Sequence, residues 1–119
     1  MTDGMDVRAS VRHVPMSAQK VRLVLDLIRG MDVNDALAML PFISKAAAKP
    51  VYKLLRSAVA NAEENVGLSR DDLFIYRIHA DEDPTRQWRR FGARGRFKPL
   101  KRRSSHITVI LREREVERA

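Results

Sequence analysis

Between Arg86 and Arg103 the chain carries nine basic residues and no acidic one. Like charges at that density repel one another and cannot be buried together, so this stretch must lie outside any core. The other 101 positions hold 14 basic and 15 acidic residues, which makes the +8 of the 119-residue chain the charge of this one segment. Hydrophobic residues make up 45%, enough for one domain spanning 1–119. The resulting reading is a near-neutral body, about 6–80 and 105–112, with a basic arm at about 81–104.

The chain has no cysteine, which excludes disulfide staples, thiol nucleophiles and cysteine-bound zinc, and fits a reducing compartment. No apolar run approaches the roughly 18 residues that span a bilayer, and Met1 to Val7 is acidic rather than signal-like. A soluble, unsecreted protein is expected.

Hydrophobic periodicity organises the body. Val7, Ala9 and Val11 alternate with Arg8, Ser10 and Arg12, which predicts a strand over 6–13 with one face toward solvent or a ligand. Pro15 closes it. Ser17 then caps a first helix with Val21, Val24, Leu25 and Ile28 on one side and Gly30 as its stop. Asp32 caps a short second helix with Val33, Ala36, Leu37 and Leu40, which ends near Pro41. Ser44 offers a start for a third helix reaching about Asn65 and burying Val51, Leu54, Leu55, Ala58, Val59 and Ala62. Pro50 requires either a kink there or a start nearer Lys49, and Gly67 ends the helix. From Leu73 the period returns to two, with Phe74, Tyr76, Ile78 and Ala80 on one face. Ile107, Val109 and Leu111 lie on the matching face of a second strand.

If those two strands pair antiparallel, the segment between them is a hairpin that turns near Gly92-Ala93-Arg94-Gly95. The expected fold is α+β: three helices on a small three-stranded antiparallel sheet, two strands of which extend into a long basic β-hairpin. Fully stretched, the positions from Pro84 to Ala93 reach roughly 30 Å. Trp88, Phe91, Phe97 and Leu100 are too few to give such an arm a core, so free in solution it should be loosely ordered. Arginine outnumbers lysine seven to two in it, and aromatics alternate with the charges. Guanidinium forks bind phosphate oxygens bidentately and stack on bases, so a polyanion is the expected partner rather than bulk water. The arm offers no amphipathic helix to a membrane.

Five strings carry a resemblance: Ser17-Ala18-Gln19-Lys20-Val21-Arg22-Leu23-Val24, Asp26-Leu27-Ile28-Arg29-Gly30, Ser57-Ala58-Val59-Ala60-Asn61-Ala62-Glu63, Ala93-Arg94-Gly95-Arg96 and Arg103-Ser104-Ser105-His106-Ile107-Thr108-Val109. In this order and spacing the chain resembles the L-twenty-two family of bacterial large-subunit ribosomal proteins over essentially 6–112. The resemblance implies a small α+β body on the outer surface of the large subunit, in the cytoplasm, and a hairpin threading into ribosomal RNA. It also implies a tip, Phe91, Gly92, Ala93, Arg94, Gly95 and Arg96, that lines the nascent-peptide exit tunnel. The candidate RNA-binding residues are then Arg8 and Arg12 on the first strand and Lys20 and Arg22 at the start of helix one. The arm adds Arg86, Arg89, Arg90, Arg94, Arg96, Lys98, Lys101, Arg102 and Arg103, and the returning strand adds His106. Neighbouring ribosomal proteins and the nascent peptide complete the implied partners; no homo-oligomer, cofactor or metal is implied. Where the family usually has Pro-Arg before the tip alanine this chain has Phe91-Gly92, and Asp83 replaces a common glycine. Phe91 either stacks on a base or packs on Trp88 or Phe97.

Other constellations are weak. Asp81-Glu82-Asp83 alternates across strand faces and reads as a hairpin neck rather than a metal or acid–base site. His13, His79 and His106 sit on separate segments without metal-ligand spacing. No phosphate loop, triad or buried acid pair points to an enzyme. The competing functional class is a free-standing, nonspecific nucleic-acid-binding regulator, which calls for a dimer surface or recognition helix, whereas helix one spends its strongest face on the core.

Overall fold

The computed structural model describes residues 6–82, 86–91 and 97–114. The order is β1 (Val7–Val14), α1 (Ala18–Ile28), α2 (Val33–Met39), α3 (Ala48–Asn61), β2 (Leu73–Glu82), β3 (Arg86–Phe91), β4 (Phe97–Arg102) and β5 (Ser105–Glu113). One three-stranded antiparallel sheet has the order β1-β5-β2, and β3 pairs with β4 in a separate two-stranded sheet. The fold is α+β, with helices on one face of the larger sheet.

α1 begins where the Ser17 hydroxyl accepts the Lys20 amide at 3.4 Å. Its buried Ala18, Val21, Val24, Leu25 and Ile28 recur at the helical period, and Gly30 takes the left-handed conformation (φ 82°) that lets the chain turn back. Asp32 holds the N-cap position of α2, but its carboxylate accepts from Arg114 Nε at 2.5 Å instead of capping the helix. A 3-10 turn, Leu40–Phe42, contains Pro41 and ends this segment.

α3 starts at Ala48, not at Ser44. Pro50 therefore falls in the first turn, where its missing N–H costs no helical bond, and no kink is needed. At the other end the α-helix stops at Asn61 and loosens into a π-helical turn, Ala62–Val66, before Gly67 (φ 75°) closes it.

The core lies between helices and sheet. Ile107, Val109 and Leu111 of central β5 are fully buried, with Val7 and Val14 from β1 and Leu73, Ile75, Ile78 and Ala80 from β2. The expected inward row Phe74, Tyr76, Ile78, Ala80 is therefore corrected in its first half. Ile75 pairs with Leu111 and Arg77 with Ile110, so Tyr76 is an extra residue, a bulge that shifts the strand's phase. Phe74 and Tyr76 consequently lie half-buried on the helix-free face.

Both edges of this sheet are guarded. Along β2, the Ile75 amide donates to the Met31 carbonyl at 2.9 Å and Asp32 bridges to Phe74. Further along, Arg29 Nη2 donates to the Ile78 carbonyl at 3.0 Å, and Arg22 donates through Nε and Nη2 to Ala80 at 3.1 and 2.8 Å. β1 instead carries exposed Arg8, Ser10 and Arg12 and an irregularity between Val11 and Val14.

Candidate nucleic-acid interface

Alternation from the buried row of β5 puts His106, Thr108, Ile110 and Arg112 on the sheet face that no helix covers. The register sets Arg8 and Ser10 of β1 on one side of that row and Arg77, His79 and Asp81 of β2 on the other. Arg112 fixes the face internally: Nε and Nη2 grip the Asp6 carboxylate at 2.7 and 2.9 Å, and its guanidinium lies 3.5 Å from the Tyr76 ring centre. Those hydrogen bonds hold the Asp6 carboxyl below its ordinary range and raise the Arg112 pKa. Arg114 lies 4.5 Å over Phe74, whose ring meets Tyr76 edge-on.

At the end of the sheet where β5 begins, His13 adopts a left-handed φ of 61°, which bends β1 away from its ladder. Its amide donates to His106 Nδ1 at 3.4 Å, and the two rings meet edge to face at 5.4 Å. Arg103 is exposed beside this pair in sequence. His106 thus stands at the junction of the sheet with the basic segment, as its string in the sequence suggests.

The remaining candidates divide. Arg8, Arg12 and Lys20 are exposed and enter no ion pair among the described residues, so their charge is available to a ligand. Arg22 is different: two of its three nitrogens are spent on the Ala80 carbonyl, where it ties α1 to β2. Arg29 does the same work one face-repeat later, with Nη1 on Asp26 at 2.5 Å. Sequence reasoning missed this clamp, although two arginines seven apart, one on α1 and one at its C-cap, were the signal for it.

Arg86, Arg89 and Arg90 fall on β3 with Phe91 at its end, and Lys98, Lys101 and Arg102 on β4. The register sets Arg86 opposite Arg102, Arg90 opposite Lys98, Trp88 opposite Leu100 and Phe91 opposite Phe97. Like charges directly across a ladder oppose its formation. The tip residues Gly92, Ala93, Arg94, Gly95 and Arg96 lie outside the described residues. Among the described residues there is no group of three or more acidic, histidine or cysteine side chains able to hold a metal.

A small basic α+β protein that displays cations on its surface is the class these features define. The family model described as "Ribosomal protein L22p/L17e" matches residues 9–112. A protein named large ribosomal subunit protein uL22 from Clostridium kluyveri is 49% identical over 111 residues, covering 93% of this chain and all of the relative. Proteins of the same name from Thermoanaerobacter sp. strain X514 and Synechococcus sp. strain JA-3-3Ab are each 47% identical, covering 93% and 96% of the chain. The chain belongs to the ribosomal protein L22p/L17e family, whose members are structural rather than enzymatic.

Proposed function

We propose that the chain is a structural constituent of the large ribosomal subunit in the cytoplasm and binds large-subunit ribosomal RNA. In this reading the single domain divides into a body, about 6–80 and 105–112, and an arm, about 81–104. The arm enters RNA, aids assembly and brings its tip, Phe91 to Arg96, to the wall of the exit tunnel beside the nascent peptide. Neighbouring large-subunit proteins contact the body.

The β3–β4 register carries this reading most directly. A two-stranded ladder with Arg86 opposite Arg102 and Arg90 opposite Lys98 gains stability from a partner that neutralises both rows. The exposed Arg8, Arg12 and Lys20 extend the same charge onto the body, and His106 offers a ring at the junction. Relatives aligned over nearly the whole chain bear the name of a large-subunit protein.

Fractionation of a cell lysate tests the assignment: the chain should remain with large subunits through a high-salt wash, and recovery among free proteins or on DNA would overturn it. A variant lacking Arg90 to Phe97, rejoined by a two-residue turn, tests the arm. It retains Arg86, Arg89, Lys98, Lys101, Arg102 and Arg103, so it should still assemble while leaving the tunnel wider. An unaltered tunnel would refute the placement of Arg94, Gly95 and Arg96.

A further inference from the structure

The near-neutral body is not neutral everywhere. α3 contains Lys49, Lys53 and Arg56 and no acidic residue, and Lys45 precedes it by one more turn. Its buried side is Val51, Leu54, Leu55, Ala58 and Val59, and at 100° per residue Lys49, Lys53 and Arg56 fall together on the opposite side. All four cations are exposed. Among the described residues none enters an ion pair; Arg56 lies 5.7 Å over the Tyr52 ring. Arg29, Arg70, Arg112 and Arg114, by contrast, each hold a carboxylate.

This arrangement works against the helix itself. Cations one turn apart repel, and Lys49 in the first turn sits at the positive end of the helix dipole. Folding gains nothing from placing three like charges on one stripe, whereas a polyanion gains a row of them. From Lys49 to Arg56 the stripe runs about 10 Å along the axis. A duplex strand presents a charge about every 3.4 Å, so that length meets about three phosphates.

We propose that Lys45, Lys49, Lys53 and Arg56 form a second RNA-phosphate contact, on α3 and separate from the arm. The proposal rests on the ribosomal-RNA reading and adds a surface to it. Tyr52, half-buried on α3 between Lys49 and Arg56 in sequence, borders the stripe where an unpaired base can stack.

The test compares full-length proteins binding deproteinised large-subunit ribosomal RNA across a salt series. They are wild type, the K45Q/K49Q/K53Q/R56Q variant and R102Q/R103Q. Losing four phosphate contacts should flatten the plot of log affinity against log salt by about three units. A variant carrying arginine at all three lysines should keep the wild-type slope, and equal melting temperatures will show that the fold is intact. If R102Q/R103Q flattens the slope and the α3 variant does not, the α3 contact is refuted while the RNA reading stands. If neither variant changes it, both fail. An α3 variant that binds naked RNA normally but enters whole subunits poorly would assign the stripe to an acidic protein neighbour and overturn the RNA contact.

Discussion

At the scale of single residues, the structure separates cations that hold the fold from cations that are free to bind. Arg22 belongs to the first group through its two bonds to the Ala80 carbonyl. Arg22→Gln should lower stability by about 1 kcal/mol, the usual worth of an intramolecular hydrogen bond at a wet site. It should leave the salt dependence of RNA binding unchanged; a flattened slope would return Arg22 to the phosphate-binding set. Ser105 poses a different case. Its Oγ is fully buried and has no hydrogen-bond partner among the described residues. Ser105→Ala removes an unsatisfied hydroxyl, so the variant should be more stable by about 1 kcal/mol. A lower unfolding midpoint would show that the hydroxyl is satisfied in solution.

At the scale of elements, stability resides in the faces that meet between helices and sheet. Leu55 on α3 and Ile107 on β5 are at most 1% exposed, whereas Leu23 on α1 is 53% exposed. Leu55→Ala and Ile107→Ala should each cost about 2–5 kcal/mol in urea unfolding, and Leu23→Ala less than about 0.5 kcal/mol. The joint between Asp6 and Arg112 adds a pH dependence. Because the folded-state pKa of Asp6 lies below its ordinary 3.8, its contribution is complete above that value and disappears as pH falls through the lower one. Wild type should therefore exceed Asp6→Asn in stability at pH 7, and the difference should close in acid below pH 3.8; a gap persisting there would mean the pair stabilises by packing alone. Most of these elements are legible in the sequence, since Val21, Val24, Leu25 and Ile28 or Ile107, Val109 and Leu111 announce their period directly. The Tyr76 bulge is not, because an inserted residue leaves the alternation Phe74, Tyr76, Ile78, Ala80 intact on paper while its first half points the other way. The α3 stripe escapes notice for another reason: summed over 101 residues its charge cancels against acids that lie elsewhere in space.

For the whole molecule, the contrast is between a sheet with a buried face and a ladder whose register opposes its own charges. Amide exchange on the free protein should show strong protection across β2 and β5 and little across β3 and β4, with protection of the latter pair rising on addition of RNA. Strong protection without RNA would make the β3–β4 ladder self-supporting and remove the argument for an obligatory partner. The guarded sheet edges matter in the interval before any partner is met. A three-stranded sheet left with bare margins is a template on which further copies can stack. Arg22, Arg29, Met31 and Asp32 along one margin, and Arg8 and Arg12 along the other, close that route. The same arginine chemistry that suits a polyanion thus also shields the margins of the sheet from a second copy of the chain.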